Sequence, residues 1–138
     1  GTTDYAVDIF HEAIKHRKYT CFLSKERTLP MMYMDDAIKA TIGIMDVPFE
    51  KIKIRTSYNL SSLHFSPKDL EEEIKKHFPD FKINYVPDER DQLATGWPKS
   101  INDTHARNDW DWEPNFNLSQ MVSDIILNLT NRYKQELM

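Results

Sequence analysis

The 138-residue chain has the length of one ordinary domain, enough to bury about 68–70% of the surface its unfolded form exposes. Its 18 basic residues against 22 acidic ones give a net charge of −4 with the basic residues scattered, which argues against a phosphate-tracking nucleic-acid surface. No apolar run approaches the ~20 residues a membrane-spanning helix needs, and one cysteine, Cys21, excludes an internal disulfide and fits a reducing compartment.

The chain opens on Gly1, with no initiator methionine, and is expected to be part of something longer. Tyr5, Ala6, Ile9, Phe10, Ala13 and Ile14 recur at helical spacing and predict an amphipathic helix ending near His16. A short strand "YTCFL" follows. In "LPMMYMDDAIKATIGIMDVP" a strand-like stretch leads, through Asp35 and Asp36, into a helix expected to bury Ile38, Thr41, Ile42 and Met45 before Pro48 stops it. Ile52, Ile54, Thr56, Tyr58 and Leu60 alternate strictly, so 52–60 reads as a strand with one apolar face.

Ser66, Pro67 and Asp69 spell a capped helix start, with Phe65 and Leu70 placed for a hydrophobic staple and Leu70, Ile74 and Phe78 on the buried side as far as Pro79. Phe81, Ile83 and Tyr85 alternate through another strand. The polar stretch "PDERDQLATGWPKS" shows turn signals without apolar periodicity. A short helix on Ala106 and Trp110 comes next, and Trp110 and Trp112 are expected to pack the last helix. That helix is capped by Asn117 with Gln120 three residues on, and has Leu118, Val122, Ile125 and Leu129 inward. Asn59, Asn102, Asn117 and Asn128 each open an Asn-x-Ser/Thr triplet, read here as helix-start chemistry rather than glycan acceptors. Strands alternating with helices make the class α/β.

Chemistry is sparse. The five histidines form no metal-ligating pair and lie far from Cys21, so no metal site is expected. Three glycines, Gly1, Gly43 and Gly96, are too few and too scattered for a dinucleotide fingerprint. Asp35 and Asp36 read as acids at a helix N-terminus before they read as a catalytic pair. Two stretches remain. In "GTTDYA" the helix start leaves amides without intrahelical partners, against which a carboxylate can dock beside Thr2, Thr3 and Asp4. From this stretch alone the plain N-cap is the preferred reading of the same residues. In "TGWPKS" Trp97 stands in a turn between Gly96 and Pro98, either closing over a ligand or pinning its loop to the core.

Together "GTTDYAVDIF", "LPMMYMDDAIKAT", "RTSYNLSSLHFSPKDLEEEIKKHFPDF", "GWPKSINDTHARNDWDW" and "NLSQMVSDII" resemble the C-terminal half of the NAD-dependent L-threonine 3-dehydrogenases of the extended short-chain dehydrogenase/reductase type. The resemblance runs over nearly the whole chain. It implies a parent enzyme, a homodimer, that oxidises the 3-hydroxyl of L-threonine, passing hydride to NAD and yielding 2-amino-3-ketobutyrate. It also implies that the catalytic Tyr-x-x-x-Lys pair and the glycine-rich cofactor loop precede Gly1. None of the six tyrosines has a lysine four residues on, so no catalytic residue is assigned here, the NAD contacts of this chain are unknown, and the isolated chain is expected to be inactive.

By the same resemblance 1–138 is the substrate-binding half, with 52–60 belonging to the parent's dinucleotide-binding sheet. The resemblance implies that Thr3 is the main substrate-recognition residue, that Asp4 holds the backbone between substrate and cofactor, and that Trp97 closes over L-threonine. The compartment is expected to be cytoplasmic, or the mitochondrial matrix in a eukaryote. Two other readings stand beside this one: a nucleotide-sugar epimerase or reductase, for which Arg55, Arg90 and Arg107 are the available cations, and a non-catalytic interaction domain.

Overall fold

The computed structural model describes residues 4–137. Along the chain run α1 (Tyr5–His16), β1 (Lys18–Cys21), β2 (Leu29–Met31), α2 (Met34–Asp46), a 3₁₀ turn (Phe49–Lys51), β3 (Leu63–Phe65), α3 (Pro67–His77), β4 (Lys82–Tyr85), α4 (Glu89–Ala94), α5 (Thr104–Trp110) and α6 (Leu118–Glu136). β1 pairs in parallel with β4, from Lys18 opposite Lys82 to Cys21 opposite Tyr85. β2 pairs antiparallel with β3, Leu29 opposite Phe65. The architecture is mixed α/β, as the sequence predicts, with two short two-stranded sheets.

Local chemistry fixes the helix ends. The Ser66 hydroxyl accepts from the Asp69 amide at 3.3 Å while the Asp69 carboxylate accepts from the Ser66 amide at 2.8 Å, the reciprocal pair that "SPKD" predicts. Asn117 and Gln120 do the same for α6, at 2.9 and 3.0 Å. α1 ends on Arg17 at φ 56°, unusual for a residue with a side chain. Its guanidinium offsets the cost by donating to Ala13 O at 2.6 Å and Ile14 O at 2.9 Å and by lying 3.8 Å from the centre of the Phe78 ring.

The main core gathers Ile9, Phe10 and Ala13 of α1, Leu70 and Ile74 of α3 and Val122 of α6 around Cys21 and Phe81 at the sheet ends, all of them buried. A second cluster joins Ala40 of α2, Ala106 and Trp110 of α5, and Trp112. The two tryptophans therefore pack α2 and α5, not α6 as expected. Trp110 lies against Gly43, 3.5 Å from where a Cβ would stand, and Trp112 donates its indole N–H to Ser61 O at 3.2 Å.

Asp35 and Asp36 both stand in the first turn of α2. Asp35 is exposed, whereas Asp36 is fully buried and accepts the amides of Asn115 at 2.7 Å and Phe116 at 3.1 Å, tying the segment before α6 to α2.

Three further expectations need correction. Residues 52–60 form no strand: the Tyr58 hydroxyl accepts the Lys53 and Ile54 amides at 3.0 and 3.2 Å, curling the segment on itself, although Ile52, Ile54, Tyr58 and Leu60 keep the alternation in burial. α2 turns Ala40, not Ile38, Thr41, Ile42 and Met45, to the interior; those four are exposed. Finally, the polar stretch after β4 contains a helix, α4. Its N-cap Asp88 accepts the Arg90 amide at 2.9 Å, a local signal that outweighs the missing apolar periodicity.

Candidate functional site

A cavity of about 260 Å³ opens at the head of α1. One wall is Asp4 and Tyr5; a second is Phe22 and Leu23, just past β1; a third is Leu29, Pro30 and Met31 of β2; the fourth is Arg90, Leu93 and Ala94 of α4 with Trp97 beyond it. Apart from Asp4 and Arg90 its lining carries no charge, so an occupant meets apolar walls with one acid and one base.

The sequence candidates fall as follows. Thr3 lies outside the described residues. Asp4 and Trp97, 93 positions apart by their numbers, line the same cavity. Asp4 is the N-cap of α1: its Oδ1 accepts the Ala6 amide at 2.9 Å, and its carbonyl accepts those of Val7 at 3.1 Å and Asp8 at 3.0 Å. These amides are thereby satisfied, so a ligand carboxylate docked on them is a reading the geometry does not favour; the plain cap holds for Asp4.

Trp97 is 63% exposed, which rules out its serving as a core pin. Its turn is held from below: the Gly96 amide donates to Leu93 O and the Trp97 amide to Ala94 O, both at 3.2 Å. The ring is thus carried on a fixed turn at the cavity edge.

Arg90 is the cavity's cation. Its guanidinium lies 3.5 Å from the centre of the Phe22 ring and bonds Asp88 through Nε at 3.0 Å, and it holds the Asp88 carboxyl below the usual carboxylate range. Arg55 instead stacks 3.9 Å from the Phe49 ring centre, and Arg107 pairs with Asp103 at 2.9 Å. Of these three arginines only Arg90 reaches the cavity.

Two features had no signal in the sequence. Tyr5 is buried at the cavity wall and its hydroxyl has no hydrogen-bond partner among the described residues; burial, then the nearby Cys21 and Asp4, push the phenol far above its usual pKa. Asp91 anchors α4 by accepting from Arg27 Nε, Ser24 N and the Ser24 hydroxyl, which fixes the wall that carries Ala94 and Trp97. The Arg27 guanidinium and Ser24 together hold the Asp91 carboxyl far below the carboxylate range.

Dinucleotide cradling does not fit the described glycines. Gly43 sits inside α2 against Trp110 and Gly96 ends the α4 turn, so neither opens a phosphate loop. Among the described residues no group of three His, Cys, Asp or Glu is placed to hold a metal ion, and no helix is long and apolar enough to cross a membrane.

No protein-family model matches the chain. It is 42% identical over 127 residues to the mitochondrial L-threonine 3-dehydrogenase of Bos taurus, an alignment covering 91% of this chain and 34% of that protein. An uncharacterized epimerase/dehydratase of Staphylococcus haemolyticus is 41% identical over 123 residues, 88% of this chain and 39% of that one. The solved L-threonine dehydrogenase of Phytophthora infestans superposes with a TM-score of 0.91 at 47% identity, covering 96% of this chain and 43% of the other. The chain's homologues are thus L-threonine 3-dehydrogenases and epimerase/dehydratases, its fold matches the C-terminal part of the dehydrogenase structures, and it spans well under half the length of these relatives.

Proposed function

We propose that this chain is the substrate-recognition portion of an NAD-dependent L-threonine 3-dehydrogenase and that the cavity at the head of α1 receives L-threonine. The observation that carries the reading is the meeting of Asp4 and Trp97, far apart along the chain, on one small cavity with a single acid and a single base. An amino-acid zwitterion complements that pair: Asp4 faces the ammonium group and Arg90 the carboxylate, while Met31, Leu93 and Trp97 exclude water around the side chain. Thr3 contributes its hydroxyl as the main recognition group, next to the Asp4 cap that sets the backbone there. The homologous dehydrogenases support this substrate.

Hydride acceptance belongs to NAD, for which this chain's described glycines offer no cradle. The cofactor is then held mainly by the portion of the relatives that the chain does not span, and the whole protein forms a homodimer. The mitochondrial designation of the bovine relative favours the matrix over the cytoplasm.

The epimerase/dehydratase relative keeps a nucleotide-sugar substrate as the second reading. One experiment separates the two. The chain is joined behind the preceding portion of the Phytophthora enzyme, and thermal shifts are recorded with L-threonine and with a UDP-sugar. L-Threonine is expected to stabilise the fusion and to be oxidised with NAD. Stabilisation by the UDP-sugar alone would overturn the assignment.

A further inference from the structure

Asp88 does two things at the start of α4. Its Oδ1 accepts the Arg90 amide at 2.9 Å, the ordinary work of an N-cap. The same carboxylate also takes the Arg90 side chain, with Nε 3.0 Å from both of its oxygens and Nη2 2.5 Å from Oδ2. Residues two apart do not face each other on a helix. Here they meet because Asp88 stands just outside α4, where its extended backbone lets the carboxylate fold back over the first turn.

A third link closes the unit. The Asp88 amide donates to Phe22 O at 3.2 Å, and the ring of that same Phe22 has its centre 3.5 Å from the Arg90 guanidinium carbon. Phe22 thus sets the plane of the guanidinium while Asp88 holds one edge of it. Phe22 and Arg90 line the cavity, and Asp88 stands behind them.

Folding stability does not account for this arrangement. The Asp88 and Arg90 side chains are 41% and 38% exposed, and an ion pair so open to water contributes little to the folded state. What it changes is the freedom of a long side chain. An unrestrained arginine must be ordered when it meets an anion, whereas one already stacked and held by an edge has lost that freedom before the anion arrives.

We propose that Asp88 is a positioning residue which, together with Phe22, pre-orients the Arg90 guanidinium for the carboxylate of the amino-acid substrate. The proposal rests on the reading of the cavity as the L-threonine site, in which Arg90 faces that carboxylate. Asp88 itself touches no substrate and acts through Arg90 alone.

Its test uses Asp88→Asn and Asp88→Ser in the fusion behind the Phytophthora portion. Both side chains cap a helix about as well as aspartate, so α4 keeps its start while the charge that holds Arg90 is gone. The Tm of the empty fusion is expected to stay where it is. The KM for L-threonine is expected to rise about five- to tenfold with kcat unchanged, the effect of having to order one long side chain on binding. L-Threonine amide, which has no carboxylate, should stabilise the unsubstituted fusion and both variants equally in thermal melts.

An unchanged KM in both variants overturns the proposal. A lower KM overturns it too, since Asp88 would then compete with the substrate for Arg90. A Tm that falls in step with the rise in KM, or equal weakening towards L-threonine amide, makes Asp88 a structural residue. The unsubstituted fusion scores the substrate reading separately. If it neither binds nor oxidises L-threonine, that reading falls and the role of Asp88 with it; if it turns over and the variants match it, only the role of Asp88 falls.

Discussion

Arg27 and Asp91 meet at two points, Nε to Oδ1 at 2.9 Å and Nη2 to Oδ2 at 3.1 Å, and so fasten α4 to the loop after β1. The Asp91 side chain is 10% exposed, so the pair is poorly screened. Because Arg27 and Ser24 depress its carboxyl pKa in the folded state, the contribution is fully present above the unfolded value near pH 4 and fades as the pH falls below it. Asp91→Asn is expected to cost about 2 kcal/mol at neutral pH. Urea melts of both proteins at falling pH check this: the gap between them should shrink as the wild type loses its advantage, and a gap constant down to strong acid contradicts it.

Trp97 makes the opposite case, a ring at the cavity edge with little structural duty. With Trp97 63% exposed, Trp97→Ala should leave the Tm within the change expected of about 0.5 kcal/mol. In the full-length fusion it should raise the KM for L-threonine about tenfold, the loss of one aromatic wall of the cavity. A Tm that falls while KM stays put would make Trp97 a structural residue.

The sequence makes the capped helices legible because their signals are local. Ser66 with Asp69 and Asn117 with Gln120 lie three residues apart and act as their spacing predicts. The buried side of α2 was hidden because Ala40 is chosen by a distant partner, Trp110, while the more hydrophobic Ile38 and Ile42 stay exposed. The same holds at 52–60: alternation records where side chains can be buried, but a ladder also needs a neighbouring strand, and Tyr58 takes the amides instead. At the site, Trp97 was visible as an apolar ring in a polar stretch. Asp91, Tyr5 and the place of Arg90 depend on contacts across the fold and left no pattern along the chain.

Asp35 and Asp36 are adjacent yet should respond very differently to loss of their carboxylates. Asp36→Ala removes a fully buried carboxylate and strips the part-buried amides of Asn115 and Phe116 of their acceptor, and is expected to cost about 3 kcal/mol. Asp35→Ala, at an exposed position, should stay within about 0.5 kcal/mol. Denaturant melts of the two variants distinguish an anchoring acid from a functional pair. If both variants fold as the wild type does and both lose activity in the fusion, the two carboxylates act together in catalysis and the structural account fails.

Tyr5 offers the sharpest test of what the cavity wall is for. Its hydroxyl is buried and has no partner among the described residues, a desolvation cost that a well-packed core avoids. Tyr5→Phe removes that oxygen and keeps the ring, so the isolated chain should be as stable as before or gain up to about 1 kcal/mol. A hydroxyl kept for a ligand behaves otherwise once the ligand is present: in the fusion the stabilisation given by saturating L-threonine should shrink in Tyr5→Phe although the empty protein is no weaker. Thermal melts of both proteins with and without L-threonine read the two effects separately. A drop in the stability of the empty variant would mean that the hydroxyl already has a partner. An unchanged response to L-threonine would mean that the substrate does not supply one.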